Sequence, residues 1–421
     1  MKGVGMKKGL LVLFLISIFA VSSLFANGLS LNSIGARALG MGGAMVGLAD
    51  DPTAIYWNPA GLAGQNSSLY AFGTDIIPFG TYKFATYGID AKTKTNNYAS
   101  PNLFANYNMG KLAFGLGIFV PAGLGAEYNG ADLINISGGD LEWMSKIAVI
   151  DIAPTVAYKI NDMFSFGVTG NIFYGMFDMK KPSTYTDTSG VTHGFQYSES
   201  STGTGFGVSG GLLCKLSDMI QFGVSARTEI KVTMSGEAEN ALMPLLGYPE
   251  TSDFDRDVAW PLWAAFGVAV KPMTNLTITA DAQYNQWAKS EDEFKTKFKD
   301  PVWKAVTAAT GDDTFVLDWK DCTQIRIGAE YMASEKLALR AGYYYDPAPA
   351  PDETLTILFP SSTNNVVTAG VGFCAGKFDI DFGLEYLMGK ERDVTITTHN
   401  MPGKHKLDIF AFSLAIGMGL M

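Results

Sequence analysis

The side chains able to do covalent chemistry are few in this chain and are not arranged to act together. Three histidines, His193, His399 and His405, could serve as bases, but no motif joins any of them to a nucleophile and an orienting group. The three cysteines, Cys214, Cys322 and Cys374, are far apart and odd in number. No Cys-x-x-Cys is present to hold a metal or a redox pair, so they read as isolated strand residues. The run Gly203-Thr-Gly-Phe-Gly207 lacks the helix that a phosphate-binding loop must open onto. An outer-surface lipase or acyltransferase is therefore the remotest reading, and no cofactor is expected.

The remaining candidates are binding groups. A carboxylate entering a dry site needs a cationic or multidonor partner, because an unpaired buried charge is costly. Lys180, Lys181 and Lys320 near strand ends, and Arg326 and Arg340 within strands, could supply one, although carboxylates such as Glu330 and Asp381 compete for them. Two connecting stretches carry more apolar weight than a solvated loop needs. One is Ala241–Tyr248, with Leu242, Leu245 and Leu246; the other is 289–309, where Phe294, Phe298, Val302 and Val306 recur at helix-like spacing. Both read as amphipathic elements of an external hydrophobic groove, or equally as loop-on-loop packing.

The elements that must position these groups begin behind a leader. Lys7 and Lys8 precede an apolar run from Gly9 to Val21, and Ser22–Ala26 offers small residues for cleavage, so 1–26 reads as a signal peptide. The run is too short to span a bilayer, and no later stretch approaches the ~20 apolar residues that a spanning helix requires. The 421-residue chain has a formal charge of −10, and losing Lys2, Lys7 and Lys8 makes it more acidic, which argues against nucleic acid as a partner. Hydrophobic residues make up 47% and charged residues 17%, but the apolar residues are scattered in alternation, which does not suit a single soluble core.

Period-2 alternation marks strands at 68–77, 102–108, 111–120, 148–158, 164–178, 205–215, 220–235, 260–270, 275–288, 322–332, 336–345, 365–374, 377–388 and 406–419. Long connections alternate with turns of a few residues, such as Asn108-Met109-Gly110 and Asn161-Asp162. In the thirteenth strand Phe378, Ile380, Phe382, Leu384, Tyr386 and Met388 alternate with Asp379, Asp381, Gly383 and Glu385. An apolar row opposite a small or polar row, repeated along the chain, predicts an all-β fold. It is a 14-stranded antiparallel transmembrane β-barrel over 68–421, with both ends on the short-turn, periplasmic side of an outer membrane. A soluble sandwich or propeller would alternate too, but would not place Arg326, Glu330, Arg340, Asp381 and Glu385 opposite large apolar groups.

Residues 27–67 do not alternate. They contain Gly35-Ala-Arg-Ala-Leu-Gly-Met-Gly-Gly-Ala44, Ala49-Asp-Asp-Pro52 and Trp57-Asn-Pro-Ala-Gly-Leu62, and fit the lumen as a hatch. These motifs resemble the N-terminal hatch of the FadL-type outer-membrane transporters. Phe119–Tyr128, Ala157–Asp162 and Leu339–Thr354 look like further blocks of that family in order, so the resemblance covers nearly the whole mature chain. It implies passive uptake of hydrophobic compounds, foremost long-chain fatty acids, with aromatic or alkane hydrocarbons as the alternative; a general porin is the nearer rival, but it would lack the N-terminal segment and the apolar loops. Partners would be the hydrophobic ligand and outer-membrane lipid, for a monomeric barrel. The resemblance also implies a hatch motif at Asn58, Pro59 and Ala60, and a kink in the third strand that opens a lateral window. Pro121, Gly123 and Gly125 are its residues here: proline cannot donate to the ladder and glycine tolerates a bend, so pairing to a neighbour is expected to fail there.

Overall fold

The computed structural model describes residues 28–420; the expected leader at 1–26 lies outside them. Fourteen wall strands follow in chain order. They are β1 Ser68–Phe84, β2 Tyr98–Met109, β3 Leu112–Tyr128, β4 Trp143–Lys159, β5 Phe164–Thr186 and β6 Thr192–Lys215. β7 runs Ile220–Arg227 and resumes as Ile230–Asn240, and β8 runs Thr251–Trp260 and resumes as Trp263–Met273. Then come β9 Leu276–Asn285, β10 Cys322–Ser334, β11 Leu337–Asp346, β12 Asn364–Ala375, β13 Phe378–Gly389 and β14 Gly403–Gly419. Each pairs antiparallel with its sequence neighbours, and β1 closes on β14 from Ser68↔Gly419 to Lys83↔Lys404. Closure leaves no edge, as hydrocarbon requires.

The faces are inverted relative to a soluble protein. Along β13 and β14, Ile380, Phe382, Phe412, Leu414 and Ile416 are exposed, while Asp381, Glu385, Ala411, Ser413 and Ala415 are buried. No described helix is long and apolar enough to cross a membrane.

Several strands outrun the alternation that announced them. The stretch between the fifth and sixth expected strands is a continuous ladder from Ser183↔Phe195 to Thr186↔Thr192, leaving only 187–191 as a turn. Asp187 Oδ1 closes that turn by accepting from the amides of Ser189 and Val191 at 2.8 and 3.0 Å. Polar, β-branched residues pair well beyond the membrane, where neither face needs to be apolar. The seventh strand is interrupted at Thr228 and Glu229, and the eighth at Pro261, which has no amide to donate. In the connection after β9, Phe294 and Phe298 lie on the strand Glu293–Phe298, between a single helical turn at Trp287–Ser290 and a helix at Pro301–Thr310. Their spacing of four suits a period of two as well as a helical turn. The third strand does not end near Val120 but continues to Tyr128.

Residues 28–67 fill the barrel. Their short helices, Ala36–Gly40 and Ala54–Trp57, and the 3₁₀ turn Pro59–Gly64 touch the inner faces of β2–β6 and β11–β14, and residues 42–48 meet the strands between. Backbone meets backbone at inward glycines. A Cβ on Gly223 would collide with Val46 O, and one on Gly342 with Gly42 N. Gly73, facing outward, has nothing within 4 Å of such an atom. Gly223→Leu and Gly342→Leu are therefore expected to abolish the compact, heat-modifiable form of the refolded barrel on gels, whereas Gly73→Ala leaves it intact.

Candidate functional site

The plug has little regular structure, so its buried backbone groups need partners from elsewhere. The inward polar side chains of the wall supply them. Asp281 accepts from Val46 N at 2.8 Å, and Gln221 Nε2 donates to Gly47 O and Leu48 O at 2.8 and 2.9 Å. Thr368 Oγ1 donates to Gly40 O at 3.1 Å, and Arg326 Nη1 donates to Gly42 O at 2.9 Å. Asn58, fully buried, caps the turn Pro59–Gly64. Its Nδ2 donates to Val46 O within the plug and to Leu212 O of β6, at 3.0 and 3.1 Å, while Oδ1 accepts from Ala60 N. Pro59 and Ala60 pack on Gly167 of β5.

An ion network latches the plug near the short-turn end. Arg37 forks onto Glu330, with both contacts at 2.8 Å, and reaches Asp50 at 2.6 Å. Glu330 in turn meets Arg340 at 2.7 Å, and Arg340 meets Asp381 at 2.6 Å. Bidentate arginine geometry fixes orientation as well as charge. Arg340 is thus engaged by the two carboxylates that the sequence offered as its competitors. Arg326 stacks on the Tyr344 ring at 4.2 Å and donates to Gln324 at 2.8 Å. Both arginines are buried; Arg326 bonds the plug directly, and Arg340 joins two wall carboxylates, one of which holds Arg37 of the plug.

The other sequence candidates lie at the outer end and do not form one surface. Lys320 is half-exposed and pairs with Asp318 at 2.6 Å. Lys180 pairs with Glu142, and Lys181 sits over the Tyr197 and Phe315 rings at 5.4 and 4.8 Å. Leu245 and Leu246 are exposed and Leu242 is half-buried, whereas Phe294 and Phe298 are buried with Phe177, Phe254, Trp303 and Phe359. The long connections 286–321 and 347–363 therefore fold into the barrel mouth as an aromatic stopper. Within it lies an ion pair not anticipated from sequence: Arg256 contacts Glu199 and Thr296, and Tyr197 donates to Glu199 at 2.5 Å. The alternation Phe254, Arg256, Val258 was a signal that this charge points inward.

At the third strand the wall opens on one side only. β2 and β3 pair from Met109↔Leu112 to Leu103↔Ile118 and then part. β3 stays with β4 as far as Tyr128↔Trp143, with a register shift between Phe119 and Ala122. Residues Tyr98–Asn102 of β2 remain paired with β1. The freed groups are satisfied from inside. Val120 N donates to Asn102 Oδ1 at 2.9 Å; Leu31 N donates to Pro121 O at 2.9 Å, and Gly123 N to Leu29 O at 3.1 Å. The first described residues thus act as an added strand along the kink, and Pro121, lacking an amide, loses no donor there. Gly125 has the Tyr98 ring directly over it, so a Cβ would clash, while a Cβ at Gly123 has its nearest neighbour at 3.6 Å.

A cavity of about 480 Å³ lies at this gap. Gly123, Gly125, Val120, Tyr98 and Leu31 line its side, and Asp346 and Glu385 its inner end. A second space of about 1050 Å³ lies beyond the plug at the short-turn end, among Arg37, Asp50, Lys159 and Asp162. The two share no described lining residue, so the plug separates them.

An apolar-skinned closed barrel, a packed internal segment and a cavity beside a broken strand pair define a channel for hydrophobic compounds rather than an aqueous pore or an enzyme. The chain belongs to the outer membrane protein transport protein family (OMPP1/FadL/TodX), whose model matches residues 17–420. These are outer-membrane passive transport proteins of hydrophobic substrates, and not enzymes. Over 428 residues the chain is 21% identical to a long-chain fatty acid transport protein of Escherichia coli strain K12, covering 91% of this chain and 92% of the relative. It is 23% identical over 413 residues to a putative outer membrane protein of Neisseria meningitidis serogroup B, covering 87% and 86%. Among solved structures, a FadL homologue from Pseudomonas aeruginosa superposes with a TM-score of 0.77 at 17% identity, covering 94% of this chain and 100% of that one. The toluene transporter TodX of Pseudomonas putida superposes with 0.71 at 18%, covering 95% and 100%. At these identities the structural likeness bears on the fold alone.

Two outcomes follow from the geometry. Asn58→Ala removes the donor to Val46 O and Leu212 O, a loss of about 1–3 kcal/mol, and is expected to lower the thermal midpoint of the folded barrel without preventing its assembly. Glu291, in the outer connection, is buried; burial pushes its carboxyl well above the ordinary range, against the pull of the Ala259 amide, and Glu229 adds to the rise. The folded state keeps this proton while the unfolded chain releases it, so stability falls as pH climbs above the ordinary carboxyl value. Glu291→Gln is expected to raise the thermal midpoint at neutral and alkaline pH and leave it unchanged in acid, as read by thermal scans across pH.

Proposed function

We propose that the chain takes up hydrophobic compounds through its outer connections, holds them in the 480 Å³ cavity, and releases them sideways between β2 and β3 into the bilayer. The observation that carries this reading is the coincidence of cavity and gap. The one place where two neighbouring wall strands part at the kink is also the side wall of an apolar-lined cavity, and the plug lies between that cavity and the space at the short-turn end. An axial route would have to move the Arg37–Glu330–Arg340–Asp381 network and the Asn58 contacts, whereas a lateral route needs the Leu29–Leu31 pairing and the Asn102–Val120 bond to give way.

In this reading residues 27–67 are the hatch, 68–421 the barrel, both ends of the barrel face the periplasm, and the monomer is the working unit. Asn58, Pro59 and Ala60 hold the hatch against β5 and β6; Pro121, Gly123 and Gly125 form the window. The lining accommodates the chain of a fatty acid and a hydrocarbon alike, at a volume ordinary for small-molecule pockets of ~300–1,000 Å³. What separates those ligands is the head group.

Gly123→Trp tests the route, because the position has room for a side chain that then occupies the cavity. Uptake of a labelled hydrophobic ligand into cells is expected to fall about tenfold, equivalent to ~1.4 kcal/mol, with barrel assembly unchanged. Unaltered uptake by an assembled Gly123→Trp barrel would rule out the lateral path.

A further inference from the structure

We infer that the cavity at the kink takes ligands with an uncharged, hydrogen-bond-donating end, of the class of long-chain alcohols, in preference to carboxylates. This rests on the proposed role of the cavity as the ligand's resting place. Its inner end is acidic. Asp346 and Glu385 are both buried, both line it, and neither has an ion-pair partner among the described residues. Asp346 is occupied by donors from Asn32 and Asn364, each at 3.1 Å, and from Gln324 at 2.5 Å. Glu385 Oε2 accepts from the Ser33 hydroxyl at 3.1 Å, and its carboxyl keeps acceptor capacity toward the cavity.

The cations in and near the cavity already have partners that compete with a ligand carboxylate. Lys146 is the sole lining cation among the described residues; it is half-exposed and lies 3.5 Å from Glu127. The buried arginines of the lumen are engaged: Arg326 by Gly42 O and Gln324, Arg340 by Glu330 and Asp381, Arg256 by Glu199. A carboxylate entering here would lose its water and meet like charge, and both effects oppose it. A hydroxyl meets no like-charge repulsion, and its smaller loss of hydration is offset by the hydrogen bonds it can make. It can donate to Glu385, and its lone pairs can accept from Ser361 Oγ, which lines the same cavity, buried and without a partner. Leu31, Ile76, Ile147, Leu387 and Ile409 form the apolar wall against which the chain of such a ligand lies.

The test is equilibrium binding of hexadecanol, hexadecanoate and hexadecane, each isotopically labelled, to the full-length barrel in detergent at mildly alkaline pH, where the acid is ionised. Hexadecanol is expected to bind about tenfold or more tighter than hexadecanoate. Glu385→Gln should narrow that ratio by admitting the acid, and Ser361→Ala should weaken the alcohol while leaving hexadecane unchanged, which keeps the test intact if the first variant fails to fold. Tighter binding of hexadecanoate overturns the proposal, and so does hexadecane binding as tightly as the alcohol, because the head group is then not read. Failure of a folded barrel to bind any of the three overturns the underlying assignment of the cavity as a ligand site, and this proposal with it.

Discussion

A buried chain segment with little regular structure must find a partner for each backbone donor and acceptor, and the rest of this structure is built around that requirement. The wall of the barrel answers it with side chains. Asp281, Gln221, Thr368, Arg326 and Gln283 project inward and bond the backbone of residues 40–48. Glycines at the same height let the two backbones approach closely enough for those bonds to form. The polar inner face that would make an open barrel a water channel is here consumed in holding a plug. A hydrophobic ligand therefore meets a closed axis.

The same requirement shapes the kink. When β3 parts from β2 beyond Ile118, amides and carbonyls are freed beside hydrocarbon, where leaving them unpaired is costly. Three devices meet that cost: a proline with no amide, an asparagine side chain bonded to Val120 N, and an added strand from Leu29 to Leu31. The third belongs to the same segment as the plug. Seal and plug are therefore one covalent unit, the seal at Leu29–Leu31 leading directly into the segment that Arg37 latches.

Much of this was legible in the residues. The alternation of Phe382, Leu384 and Tyr386 with Asp381, Gly383 and Glu385 gave strand, face and medium together, because a lipid-facing barrel writes its environment at every second position. The small-residue run Gly35–Ala44 marked a segment that packs backbone against backbone. The outer connections were less legible. Residues 183–195 pair as a polar hairpin beyond the apolar rows, so they carry no apolar alternation to read. The four-residue spacing of Phe294 and Phe298 fits two periods at once. Partners of charged residues were invisible for a different reason: Arg37 and Glu330 lie 293 positions apart, and pairing across a lumen is set by strand register, which composition does not encode.

Charge is distributed by depth. Acid and base neutralise each other in the latch and in the Arg256–Glu199 pair, while Asp346 and Glu385 at the cavity make no direct ion pair among the described residues. The central claim, that ligand rests beside the kink and leaves through the wall, is tested most directly by photo-crosslinking. A hydrophobic ligand bearing a diazirine is bound to the barrel in lipid vesicles, activated, and its adducts are located by peptide mass spectrometry. The account predicts adducts on Leu31, Tyr98–Asn102 and Val120–Gly125. Adducts on Arg37–Gln65 and the short turns at 160–163 and 216–219, with none at the kink, would contradict it and place the path along the axis.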